Sequence, residues 1–251
     1  ESELHAVTIR EVTQVNDSIR ILRLDIPGLH AGITFTPGQF LDLYFESLEM
    51  AGRYAILSTP SAAAAAVPES LHPPHPPYVE VAIQHELTLE TQRLWADTSS
   101  IVGTELKACV TGSFVWPSSN LHLDAKQRAV FLAGGIGVSA LASMVSDMHE
   151  SGTMPQEVHF LYTSRTKGYY TISNVLALES LLKIRKARPG QFHLYLFCSG
   201  HPSRSLMEDA VPRERFEPRR VLERDLLKIF GNEEVKLSTI CYICGPPQMT
   251  E

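Results

Sequence analysis

The chain has 251 residues, 44% of them hydrophobic and 20% charged, with a formal net charge of -6. That is apolar material enough for one large domain or two of ordinary size. The mildly acidic balance excludes a primary grip on nucleic-acid phosphates, which needs concentrated Lys and Arg, so any anionic ligand must be held by local geometry.

The first hundred-odd residues read as strands. SIRILRLDIP is β-rich, and FLDLYF sets Leu41, Leu43 and Phe45 on one face. YVEVAIQ alternates Val79, Val81 and Ile83 with Glu80, Ala82 and Gln84, the period of two for a sheet buried on one side. Pro37-Gly38, Gly103 and Gly112 punctuate these runs, which predicts a small antiparallel β-barrel over residues 1–125. From Ser61 to Pro77, SAAAAAVPESLHPPHPP carries prolines that cannot continue a helix or a central strand, so it is expected to be a long surface loop. His72 and His75 within it are read as solvated, and no metal site is expected.

After residue 125 the texture changes. RAVFLAG, EVHFLYTS, FHLYLFCS and STICYICG read as strands. SALASMVSDMHESG, NVLALESLLKIRKA and RRVLERDLLKIFG read as helices, the first stopped by Gly152. Alternation of this kind implies a parallel α/β sheet over 126–251.

Ala129 to Ser146 carries no charged side chain, about the length at which a membrane-spanning helix becomes a candidate. Gly134, Gly135 and Gly137 instead fall where the hydrophobic period switches, splitting the run into strand, bend and helix. Gly135-x-Gly137-x-x-Ala140 matches a dinucleotide-binding fingerprint, in which glycines admit a diphosphate to the backbone and the next helix presents free N–H groups. A βα turn packed with small residues fits the same letters. A hydrolase elbow at Ser139 fits poorly, because the second glycine of G-x-S-x-G is missing. Thr163-Ser164-Arg165 stands where an acid for the ribose hydroxyls is common.

The last strand ends in Cys244-Gly245-Pro246-Pro247, a turn at the edge where open α/β sheets bind ligands. Cys241 and Cys244 are three apart and so face opposite sides of a strand, which argues against a zinc or dithiol pair. Four cysteines in this length do not make a disulfide scaffold and indicate a reducing compartment, cytoplasm or mitochondrial matrix. The chain opens at Glu1 without a basic leader, leaving a removed targeting segment and none at all as equal readings.

PGQF, RYAILSTP, GGIG and CGPPQM, in this order, resemble the ferredoxin-NADP reductase superfamily over nearly the whole chain, and within it the oxidoreductase NAD-binding domain-containing proteins. The resemblance implies a flavin-binding barrel (FAD or FMN) followed by an NAD- or NADP-binding α/β domain, with hydride passing from NAD(P)H to flavin and electrons leaving to an acceptor. It implies that Tyr54 stacks on the flavin and that Arg53, Ala55, Ile56 and Ser58 border it. Gly134, Gly135, Gly137, Val138, Ser139, Thr163 and Arg165 would line the dinucleotide. Cys244 would sit beside the nicotinamide as the catalytic positioning group, with Gly245, Pro246 and Met249 shaping that wall. Arg165 or Arg204 could grip a 2′-phosphate in bidentate fashion.

The sequence departs from the superfamily's pattern at Gly52, where an arginine usually pairs with the flavin phosphate, and at Ala55, where a hydroxyl is usual. Pro is usual where Ala140 stands. These departures support a rival expectation, a catalytically degenerate reductase-like subunit that binds a protein partner. Arg213, Arg215, Arg219, Arg220 and Arg224, interleaved with acids, are expected to form a salt-bridged exposed helix start, or a dock for an acidic redox partner.

Overall fold

The computed structural model describes residues 3–28, 32–45, 51–65, 76–117, 128–165, 171–199 and 216–250. The chain divides into two compact units, Glu1–Trp116 and Pro117–Glu251. The boundary expected near residue 126 falls outside the described residues, as do His72, His75, Arg204, Arg213 and Arg215.

The first unit contains β1 (Leu4–Asn16), β2 (Ile19–Asp25), β3 (Phe40–Tyr44), β4 (Gly52–Ala55), α1 (Pro60–Ala63), β5 (Tyr78–Gln84), α2 (Leu89–Leu94), α3 (Thr98–Ile101) and β6 (Glu105–Thr111). Its six strands pair antiparallel in the order β4-β3-β6-β1-β2-β5. A bridge between Ile56 and Val81 joins the last strand to the first. The sheet therefore closes, as the barrel expectation requires, and its interior is filled by Val7, Leu22, Leu24, Leu41, Leu43, Val79, Val81 and Ile83, each 0% exposed. Ala82, expected on the outer face, is buried as well at 2%.

Pro37-Gly38 makes the turn into β3. Gly38 has φ 96°, the Gln39 amide donates to the Thr36 carbonyl at 3.1 Å, and a proline followed by a positive-φ glycine is the signature of a type II turn. The Gln39 side chain then ties the turn to the end of β6, donating to the Gly112 carbonyl at 2.9 Å.

The second unit contains β7 (Arg128–Gly134), α4 (Val138–Ser151), β8 (Glu157–Arg165), α5 (Leu178–Ala187), β9 (Phe192–Ser199), β10 (Phe216–Glu217), α6 (Glu223–Phe230), α7 (Glu233–Leu237), β11 (Thr239–Cys244) and α8 (Pro247–Thr250). The five strands are parallel in the order β10-β9-β8-β7-β11. One face carries a row of rings, with Phe131 stacked between Phe160 at 6.0 Å and Tyr242 at 5.7 Å. Among the described residues no helix is long and apolar enough to cross a membrane.

Gly152 stops α4 in the left-handed region at φ 71°, as expected of a helix-terminating glycine. Two expected helices begin later than the sequence pattern predicts. A short 3-10 turn (Ile172–Asn174) ends on the first residue of NVLALESLLKIRKA, and Ala177 at φ 60° prevents helical continuity until Leu178. In RRVLERDLLKIFG the helix starts at Glu223. Just before it, the Arg219 guanidinium grips Asp225 through two contacts of 2.6 and 2.9 Å, the expected salt-bridged helix start.

Candidate functional site

In the second unit, chain order reverses between β7 and β11: the sequence runs outward from β7 through β8, β9 and β10, then returns to add β11 on the opposite side. Open α/β sheets leave a crevice at such a switch point, outside the carboxyl ends of the strands. Both predicted motifs end there. β11 pairs with β7 so that Cys244 lies opposite Ala133, and the glycine bend and the Cys244-Gly245-Pro246 turn leave the same edge side by side.

Their contact explains the glycines. A methyl group at Gly137 would come within 2.6 Å of the Cys244 carbonyl carbon and 2.8 Å of the Gly245 nitrogen. A methyl at Gly134 would lie 2.6 Å from the Met249 sulfur and 2.8 Å from Pro246. Contacts this short are not tolerated by real side chains, so the two turns approach this closely only because neither position carries a Cβ. Gly135 differs. It has φ 54°, a left-handed conformation that favours glycine, and open space lies where its Cβ would stand.

The residues of the bend separate into two groups. Gly135 and Ile136 are partly exposed, while Gly134, Gly137, Val138 and Ser139 are buried. The Ser139 hydroxyl donates to the Ile136 carbonyl at 2.9 Å and so holds the bend from beneath. Thr163 lies beside Gly134 in register, and Arg165 ends β8 exposed at the same carboxyl edge. Ile136, the unspecified letter of the fingerprint, is the accessible residue that motif reading passed over. Cys244 is an unpaired, half-buried thiol, and burial raises its pKa above the ordinary value. It is therefore a neutral S–H at physiological pH and a poor nucleophile. Cys241 lies on the opposite face of β11 by strand alternation and is exposed there. No cluster of metal-binding side chains occurs among the described residues.

In the first unit the expected flavin residues run along β4 and past its end. Leu41 stands opposite Tyr54 and Leu43 opposite Gly52, so these four share one face, while Arg53 and Asp42 pair on the other. Arg53 grips Asp42 with two contacts of 2.7 and 2.9 Å. Tyr54 is half-buried and packs against the barrel core. Its ring lies along the strand over Gly52, with a ring carbon 2.7 Å from where a Cβ there would stand. Burial raises the Tyr54 hydroxyl above its ordinary pKa, a hydrogen bond with Thr91 pulls it back, and the charges of Glu90 and Glu86 add to the rise.

Past β4 the chain forms the seam of the barrel. The Ile56 amide donates to the Gln39 carbonyl at 3.1 Å, and the Leu57 amide to the Glu80 carbonyl at 2.8 Å. The Ser58 hydroxyl accepts from the Glu80 amide at 3.0 Å. Ala55 pairs with Phe40, and Ile56 is 0% exposed. Asp42 and Thr91 were not legible as partners of this strand, since only pairing register and the placement of α2 bring them there.

An antiparallel barrel unit followed by a parallel-sheet unit with a glycine bend and a Cys-Gly-Pro tip at its switch point is the ferredoxin-NADP reductase-like two-domain fold. The solved structures agree. The cytochrome b5 reductase domain of Ulva prolifera nitrate reductase matches with a TM-score of 0.67 at 14% identity, covering 98% of this chain and 88% of that one. A ferredoxin NADP+ reductase from Neisseria gonorrhoeae with bound FAD and NADP matches with a TM-score of 0.63 at 15% identity, covering 99% and 88%.

In sequence the chain is similar to the proteins named oxidoreductase NAD-binding domain-containing protein 1. It is 27% identical to that of Xenopus tropicalis over 256 residues, covering 96% of this chain and 70% of the relative. It is 23% identical to that of Danio rerio over 266 residues, covering 100% and 85%. No family model matches the chain.

Proposed function

We propose that the chain is a flavin-dependent NAD(P)H oxidoreductase. The observation that carries this reading is the flush meeting of the glycine bend with the Cys244-Gly245 tip, beside an open position at Gly135. A diphosphate needs room to approach the backbone at a helix start, and Gly135, partly exposed and without a Cβ, leaves that room just ahead of α4. A nicotinamide held there would supply a hydride for a flavin, and the protein's own part would be binding and alignment. Neutral Cys244, with Gly245, Pro246 and Met249, forms a small apolar wall that sets the ring's position, and positioning is the main catalytic task. Thr163 and Arg165 face the same edge, where Arg165 would favour a 2′-phosphate. Tyr54, partly buried against the barrel core, would offer the flavin ring only the accessible part of its own ring. The four cysteines form no disulfide, which suits a reducing compartment, the mitochondrial matrix or the cytoplasm.

The rival reading, a non-catalytic subunit that binds a protein partner, draws on the flavin side: Gly52 stands where an arginine is usual, and the adjacent Arg53 is held by Asp42 on the opposite face of β4. Absorption spectra separate the two. An oxidoreductase purifies with, or takes up, a flavin whose visible absorbance is bleached by NADH or NADPH under anaerobic conditions, and the faster donor identifies the nicotinamide it uses. A colourless chain that takes up no added flavin overturns the oxidoreductase reading.

A further inference from the structure

The polar side chains of β4 and its continuation are already engaged within the barrel unit. Tyr54 and Gly52 share their strand face with Leu41 and Leu43, which are 0% exposed, so the Tyr54 ring packs inward against the core and shows a ligand only part of itself. Gly52 brings no side chain, and the Tyr54 ring, with a carbon 2.7 Å from where a Cβ there would stand, leaves no room for one. Arg53 lies on the other face, held by both carboxylate oxygens of Asp42. Turning it to a flavin phosphate would strand the Asp42 side chain, only 9% exposed, as a buried charge without that partner. Further on, the Ser58 hydroxyl accepts from the Glu80 amide at 3.0 Å, and the Thr59 and Ser61 hydroxyls meet at 2.8 Å. The Ile56 and Leu57 amides donate to the Gln39 and Glu80 carbonyls.

We propose that flavin is a diffusible substrate of this chain rather than a resident group: it enters oxidised, receives a hydride and leaves reduced, carrying the electrons to their acceptor. The proposal rests on the flavin reading above and names its second substrate. A ring held by part of one aromatic surface, without a paired phosphate, binds on the order of micromolar and exchanges readily, whereas lasting retention needs nanomolar affinity or better. The reaction balances without another reactant. NAD(P)H, a solvent proton and oxidised flavin give NAD(P)+ and dihydroflavin, with two electrons moving in the hydride.

Retention and turnover on the intact chain test this separately. Desalting after saturation with riboflavin, FMN or FAD is expected to leave less than about one flavin per ten chains. About one flavin still bound to each chain overturns the proposal while leaving the flavin reading intact. The desalted chain, given NADH or NADPH without oxygen and a roughly twentyfold excess of flavin, is expected to bleach all of it, faster than without protein and at a rate that saturates with flavin. Bleaching that stops at about one flavin per chain overturns the substrate role. Neither bleaching nor quenching of flavin fluorescence overturns both readings. The three flavins are expected to half-saturate the rate within about fivefold of one another, and a larger preference for FAD marks phosphate or adenine contacts and overturns the grip by the ring alone.

Discussion

Gly135 and Gly137 stand two residues apart and are glycines for different reasons. At Gly137 a Cβ collides with backbone, which cannot swing away as a side chain can. Gly137→Ala should therefore separate the bend from the Cys244 tip and cost about 1–3 kcal/mol, the usual range for forced overpacking. Gly135→Ala meets open space and costs only its left-handed backbone, about 1–2 kcal/mol. Thermal melts should rank them in that order, and nicotinamide binding should fall for both. Cys244 gives a second test. Alkylation at high pH, followed by mass spectrometry, should show NAD(P)H slowing the labelling of Cys244 and leaving Cys241 on the opposite face untouched. Equal protection of both thiols would argue against a ligand at that tip.

Among the elements, β7, β8 and β9 carry a polar cluster toward their amino ends, away from the proposed site. Arg128 contacts Glu157 at 2.9 Å, and His159 lies 2.7 Å from Glu157 and 3.2 Å from the Tyr195 hydroxyl, with the His193 ring 5.0 Å away. Burial pushes the His159 pKa down to about 4, against the hydrogen bond its ring donates to the Glu157 carboxylate, which raises it. The unfolded chain takes up that proton near pH 6.5 and the folded chain only near 4, so stability falls as pH drops through this window. Burial raises the Glu157 carboxyl, but His159 and Arg128 outweigh it and hold it below its ordinary value. Its contribution is present above about pH 4.5 and disappears below, in the same direction. We expect denaturant titrations to lose about 2 kcal/mol between pH 6.5 and 4, discounted for the exposed rim of the cluster, and His159→Gln to flatten that slope.

The elements also show where sequence reading succeeds. Val79, Val81 and Ile83 announced a buried face because period and burial coincide, and the GGIG bend was legible because glycine marks a backbone need. Ala177 gave no sign of its left-handed conformation, since nothing in an alanine's chemistry asks for one. The Arg53–Asp42 clasp was equally hidden, because strand register is fixed by pairing across the sheet rather than by either residue's neighbours.

At the scale of the whole molecule, every strand of the first sheet finds its partners between Leu4 and Thr111. Residues 1–116 expressed alone should therefore give a cooperative melt with a β-type far-ultraviolet spectrum; a molten, noncooperative product would mean that the second unit is needed to complete it. The barrel has a weak join, however. Most neighbouring strands are stitched by several paired residues, whereas β4 and β5 meet through the single bridge at Ile56–Val81 with help from Leu57 and Ser58. These residues directly follow Tyr54, so a ligand resting on that ring would also brace the cylinder at its thinnest stave. Occupancy would then be readable without colour or turnover, as slower deuterium uptake at the amides of Ile56 and Leu57.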